Sequence, residues 1–173
     1  MNSEERRRKI KEILEASDTP VSATNLARKL DVSRQIIVGD VALIRAAGCN
    51  IDATARGYVF RKADSNKIGL TYQVVCQHNQ SDTERELTIM VDNGCRVVNV
   101  IIDHPVYGNL TGSLDLSSRY DIKEFMRKIA ENDAHSLCEL TDGVHTHTIE
   151  YPDGTALART LQELKEAGFM YED

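Results

Sequence analysis

The segment Gly143-Val144-His145-Thr146-His147-Thr148-Ile149 sets two imidazoles two residues apart inside a β-branched run. On a strand, alternate side chains leave from the same face, so His145 and His147 would aim two nitrogen donors at one point. A sheet can ligate a metal ion in this way. Two donors do not complete a coordination shell, however, and the same pair would also serve as two polar residues on a solvated strand.

Further donors are few. The 173 residues include five histidines and four cysteines, Cys49, Cys76, Cys95 and Cys138, with no Cys-x-x-Cys pair. Scattered thiols argue against a disulfide scaffold or a structural zinc knuckle and suit a reducing compartment. Cys76 stands two residues before His78 and would share its face on a strand, either as a ligand or as a small buried residue. Glu86 falls in the first turn of the helix that follows. There, Thr83-x-x-Glu86 is also a capping-box pattern, which asks for Glu with no metal involved. His78 likewise reads equally well as an ordinary polar residue at a strand end. His135, at a helix C-terminus, suits the helix dipole and needs no site.

The elements that must position these residues form the second part of the chain. Leu70–Cys76 is a strand by its β-branched and aromatic content. A helix opens at Asp82-Thr83, turns Leu87, Met90 and Val91 inward and closes at Gly94. Cys95–Asp103 is a near-continuous apolar strand, central or buried on both faces, which His104-Pro105 ends. Leu110–Leu116 alternates weakly as another strand. A helix over Asp121–Ala130 turns Ile122, Phe125, Met126 and Ile129 inward. Ser136–Leu140 and Val144–Tyr151 are expected to form a hairpin around Thr141-Asp142-Gly143. A last helix spans about Thr155–Ala167. The order βαββαββα predicts an α/β-sandwich-like domain over residues 68–173. No glycine-rich phosphate loop follows any of these strands, so nucleotide binding has no support.

Residues 1–62 read differently. Glu4–Ala16 is an amphipathic helix with Ile10, Ile13 and Leu14 on one face. Ser17-Asp18-Thr19-Pro20 stops it. Ser22 caps a short helix through Lys29, Asp31-Val32 turns the chain, and Ser33 caps a third helix to about Ala47 that buries Ile36, Ile37, Val41 and Ile44. Two short helices joined by a tight turn make a helix-turn-helix. Asn50–Ala53 and Tyr58–Phe60 then pair around Arg56-Gly57 as a wing. Arg34 could pair with guanine and Gln35 with adenine, while Ser33 caps the helix or meets phosphate. Arg56 is placed to touch the DNA backbone or minor groove. Residues 63–67 form a polar linker, and the fold class is α+β.

Charge divides at the same place. Residues 1–62 carry a net charge of +4 within a chain of net charge −6, leaving −10 on the remainder. The first part alone is therefore suited to meet a polyanion. The 41% hydrophobic content supports a folded protein, yet no run approaches the roughly 20 apolar residues that span a bilayer. The charged start Met1-Asn2-Ser3-Glu4-Glu5-Arg6-Arg7-Arg8 leads into no apolar signal core. The expected location is the cytoplasm.

The run Val21–Gln35 resembles the small winged helix-turn-helix domains of bacterial repressors, particularly the biotin-operon type. Val75-Cys76-Gln77-His78, the Glu86 helix, Asp103-His104-Pro105-Val106-Tyr107-Gly108 and Leu140–Ile149 together resemble the three-histidine (3H) domain. Over nearly its whole length, the chain resembles the family of nicotinate-responsive transcriptional repressors. That resemblance implies that His78, Glu86, His145 and His147 bind one divalent metal ion per chain, nickel or zinc. It also implies that nicotinic acid controls binding to operator DNA near genes of NAD biosynthesis or niacin uptake. Three imidazoles and a carboxylate suit nickel, zinc, iron or cobalt rather than magnesium or calcium. An ion with open positions could accept an effector's carboxylate or pyridine nitrogen, and His104 and Tyr107 are the next candidates for effector contact. A homodimer on a near-palindromic operator is expected. The alternative is a regulator for which the metal ion itself is the signal. Enzyme activity is not expected, since Asp142 and Glu150 are the only carboxylates near the ligands that could act as a general base.

Overall fold

In the computed structural model, which describes residues 1–61 and 70–172, two serines start the short helices of the first of two units. The Ser22 hydroxyl accepts from the backbone N–H of Asn25 and begins α2 (Ala23–Leu30). The Ser33 hydroxyl accepts from Ile36 N–H and begins α3 (Arg34–Ala46). Each satisfies a backbone donor that the first helical turn leaves open. Asp31 makes the turn between them in the left-handed region, at φ 53°. Helix α1 (Ser3–Glu15) opens with a capping box between Asn2 and Glu5. The three helices close over Ile10, Leu14, Leu26, Leu30, Ile37, Val41 and Ile44.

One contact between α1 and α3 is polar. Asp40, buried on α3, receives Arg6 Nε at 2.5 Å and lies 3.6 Å from Arg7 Nη1. This pairing ties the second helix of the helix-turn-helix to the first helix of the chain. Ile36 departs from expectation: it is 42% exposed. It lies about 100° around the helix from Ile37, outside the arc that faces the core, so its apolar character alone misplaced it.

The wing is β1 (Ile51–Thr54) paired antiparallel with β2 (Gly57–Phe60), with Arg56 in the turn between them. Val21 extends this sheet through reciprocal backbone hydrogen bonds with Tyr58, both 2.9 Å. Gly57 makes that approach possible. Its φ is 138°, and a Cβ there would lie 2.5 Å from the carbonyl carbon of Val21. The expected linker, residues 63–67, lies outside the described residues.

The second unit is an antiparallel sheet with helices on one face. It comprises β3 (Leu70–Gln77), α4 (Thr83–Asp92), β4 (Arg96–His104), β5 (Gly108–Leu116), α5 (Arg119–Glu131), β6 (Val144–Tyr151) and α6 (Gly154–Glu166). The strand order is β3-β6-β4-β5, so the His-x-His strand is inserted between β3 and β4. Val74, Cys76, Val97, Ile102, Leu116, His145, His147 and Ile149 are buried on the face that the helices cover. Gln73, Val75 and Gln77 point the other way and are exposed. Strand β4 is interior to the sheet, as expected, but only one of its faces is covered.

Two expectations are corrected. Residues 136–140 do not form a strand: Leu137–Thr141 is a 3-10 turn, and the order is βαββαβα within the expected α+β class. The five-residue segment is bound locally, with Glu139 N–H donating to Ser136 and Gly143 N–H to Cys138. His135 is not at a helix end either. It is exposed beyond α5 and lies 2.7 Å from Glu139 Oε2.

A Gly57→Ala change should force Val21 away from Tyr58 and destabilise the first unit by about 1–3 kcal/mol, the cost of a strained backbone position. Chemical denaturation followed through the first unit measures this, and an unchanged midpoint would show that the close approach is not required.

Candidate metal centre

Because β6 is an inner strand, both of its histidines sit mid-sheet. Cys76 lies opposite His145 and Val74 opposite His147 on β3, while Val100 lies opposite His147 on β4. Cross-strand partners share a face, so Cys76 and both imidazoles point toward the helices. Helix α4 crosses that face with Glu86, whose exposure is 0%. At the end of β3 the chain turns, and His78 reaches the same carboxylate. His78 Nε2 lies 2.7 Å from Glu86 Oε2, His145 Nε2 3.0 Å from Oε1, and His147 Nε2 3.3 Å from Oε2. The rings of His78 and His147 each meet that of His145 edge-on at 4.9 Å. Four residues from three elements thus converge on one point.

The other ring nitrogens decide what the point can hold. Nδ1 of His78, His145 and His147 lies 2.8 Å from the backbone carbonyls of Asn79, Gly143 and Asn99 respectively. A carbonyl only accepts, so each Nδ1 carries the proton, and in the neutral ring each Nε2 presents a lone pair. Three lone pairs then face a carboxylate, which also only accepts. His78 Nε2 is buried and makes no hydrogen bond of acceptable geometry despite its short distance to Glu86. Protonating all three rings would instead bury three positive charges against one negative charge. A divalent cation among the four groups satisfies every lone pair, and the carbonyl partners are the outer-shell supports that metal-bound histidines need. The residues present therefore fit such an ion.

The electrostatics show that the cluster attracts positive charge. Burial pushes the Glu86 carboxyl up, but the surrounding imidazoles outweigh burial and hold it well below the usual carboxylate range. Burial depresses His78 and His147, yet the Glu86 carboxylate wins and raises both. The Cys76 thiol is pushed far up, first by burial and then by the same carboxylate. Cys76 Sγ, a Glu86 oxygen and a His145 nitrogen all lie within 4.8 Å of one another, so Cys76 belongs to the donor cluster as well.

The capping-box alternative for Glu86 does not hold. Thr83 is inside the helix, Asp82 precedes it without a side-chain cap bond, and Thr83 Oγ1 is buried with no hydrogen-bond partner among the described residues. The Glu86 side chain is turned into the sheet instead. His104 and Tyr107 stand apart from the cluster in the β4–β5 turn. His104 Nδ1 accepts from the N–H groups of Val106 and Tyr107, at 3.2 Å each, and Tyr107 is 75% exposed. Glu150 pairs with Arg96 at 2.8 Å on the uncovered side of the sheet. Beside His78 lies an open groove of about 200 Å³ lined by Asn79, Gln80, Cys138, Glu139, Asp142 and Gly143. Sequence spacing carried no signal for Cys138 or Glu139 here, because both arrive from a turn about 60 residues away.

In the first unit, Ser33 caps α3, Arg34 and Gln35 are exposed in its first turn, and Arg56 is in the wing turn. Residues 6–59 match an HTH domain and residues 71–173 match the 3H domain. Over 98% of its length, the chain is 42% identical to the protein named "Probable transcription repressor NiaR" of Thermotoga maritima and covers 95% of that protein. Over 92% of its length it is 39% identical to "Transcription repressor NadR" of Bacillus subtilis, covering 89% of it. The chain belongs to the NiaR/NadR family of transcription repressors. An uncharacterized protein of Methanothermus fervidus is 23% identical over 107 residues, which are 17% of its own length.

Within this NiaR/NadR chain, the loop that leads into β6 supports the cluster from outside. Asp142 and Gly143 are successive left-handed residues, φ 51° and 84°, and a Cβ on Gly143 would run into the carbonyl oxygen of His78. Gly143 also supplies the carbonyl that holds His145. A Gly143→Ala change should therefore displace His78 and weaken metal binding by about tenfold or more, the usual scale for lost outer-shell support. Titration of the purified chain with nickel or zinc checks this; wild-type affinity would show that the His78 position does not depend on the loop.

Proposed function

We propose that His78, Glu86, His145 and His147 hold one divalent transition metal ion, nickel or zinc, and that the chain is a repressor regulated by nicotinic acid bound at or beside it. The observation that carries this reading is the convergence of three Nε2 lone pairs on a buried carboxylate. When bound, the ion supplies a Lewis-acidic position suited to an effector's carboxylate or pyridine nitrogen. The chain's own residues orient the donors and exclude water from them. The groove borders His78, so effector contact is expected there; in this reading His104 fixes the β4–β5 turn and Tyr107 is only peripheral.

The DNA-facing residues in this reading are Ser33, Arg34 and Gln35 at the start of α3 and Arg56 on the wing. A homodimer would place two such helices on successive major grooves of a near-palindromic operator near genes of NAD biosynthesis or niacin uptake. Coupling is reciprocal: if nicotinate tightens operator binding, the operator tightens nicotinate binding by the same factor. Glu150 is paired with Arg96 on the other side of the sheet from the donors, which supports a sensor over an enzyme.

Two measurements test the proposal. The His145→Ala/His147→Ala double variant should lose its metal by elemental analysis while the first unit stays folded; full metal content would sink the ligand assignment. Operator binding of the metal-loaded chain should change by about 5- to 150-fold with nicotinic acid, the ordinary range of allosteric coupling. An affinity that follows metal loading and ignores nicotinic acid would instead favour a regulator that senses the ion.

A further inference from the structure

A helix face turned away from its core is polar by default. Helix α3 breaks this rule. The arc opposite its buried face carries Gln35, Ile36, Gly39, Ala42, Leu43 and Ala46, all exposed. Ile36 is 42% exposed and Leu43 57%, on one stripe with Gly39 at i, i+3 and i+7. Among the described residues, and apart from its own helix backbone, nothing lies within 4 Å of the position a Cβ on Gly39 would take. Leaving two branched aliphatic side chains in water is unfavourable, so the face calls for an occupant.

Charge selects that occupant. The same two helices expose Arg28, Lys29, Arg34 and Arg45 in a segment whose net charge is positive, within a chain of net charge −6. An apolar strip on a unit that also exposes cations matches a DNA major groove, where phosphates line the rims and the thymine C5-methyl is the apolar feature of the base edges. Gly39 and Ala42 have no side chain long enough to hold the helix off the groove floor. Beyond its first turn, this face offers no side-chain hydrogen-bond donor or acceptor with which to read bases.

We infer that Ile36, with the apolar outward face of α3, reads thymine methyl groups in the operator half-site. The inference rests on the DNA-binding reading above and adds a selection rule: A·T pairs at these positions are chosen through the methyl group, while Arg34 and Gln35 supply hydrogen-bonded readout at the helix start.

The test uses the full chain, with its metal as isolated, and duplexes that the chain itself selects from a random library. Each thymidine of a selected half-site is replaced in turn by deoxyuridine, which removes the methyl and keeps the base pairing. Binding should weaken roughly fourfold for each methyl read, the scale of one buried methylene. Ile36→Ala should abolish that discrimination at one position while keeping it elsewhere. Equal affinity for thymidine and deoxyuridine at every position overturns the inference alone. Discrimination undiminished in Ile36→Ala also overturns it, and a change of oligomeric mass in that variant would then give the face to a second copy. A library that yields no preferred duplex overturns the inference together with the repressor reading.

Discussion

A carboxylate with no exposure to solvent cannot stand alone in a protein interior, and the second unit is arranged around that constraint. Glu86 is buried at the contact between α4 and the middle of the sheet, where an apolar residue would pack without difficulty. Three imidazoles surround it, and each is pinned from behind by a backbone carbonyl. Pinning fixes the tautomer, and the tautomer turns every remaining lone pair inward. The cluster is thus committed to positive charge from a source other than ordinary hydrogen bonding. With the proposed ion bound, chelation should loosen this unit more than the first, because the binding energy of a site that forms only in the folded state adds to the stability of that state.

The topology serves the same end. If β6 lay at the edge of the sheet, its two histidines would face the core near solvent. Placed between β3 and β4, they are covered on both sides, and Cys76 comes to stand directly opposite His145. The 3-10 turn at Leu137–Thr141 and the left-handed pair Asp142-Gly143 deliver the chain to β6 against the backbone of His78. The loop that borders the groove is therefore the loop that locates His78 and supplies the carbonyl that holds His145.

Legibility in the sequence followed the range of the interactions. Helices α1 to α3 and the wing could be read closely because serine caps, the Asp31 turn and the apolar periodicity are local. Ile36 was misread because a run of aliphatic residues does not reveal which one lies outside the core arc. The segment 136–140 differs from the expected hairpin arm because an Asp-Gly turn does not by itself show that both flanks pair, and here the turn closes back on Cys138. At Glu86, spacing alone permitted either a cap or a ligand. The choice depends on which way the side chain turns, and that is set by imidazoles about 60 residues away. Resemblance to a family named those four residues; the physical reason they belong together lies in the register of β6 with its neighbours.

The exposure of Ile36 also shows how the two units differ. The second unit carries polar groups where it is deeply buried, and the first carries apolar groups where it is exposed. Each inversion of the usual pattern costs stability in the isolated chain, and a ligand of matching character would relieve it. In the proposed reading that ligand is a cation for Glu86 with its histidines and the apolar edge of a base pair for Ile36 with Leu43. A ligand shifts a protein only through its different affinity for different states, so unrelieved groups of this kind are where such differences can be largest. Filling the first inversion with an aliphatic residue, or polarising the second, would stabilise the free chain while removing what its ligands act upon.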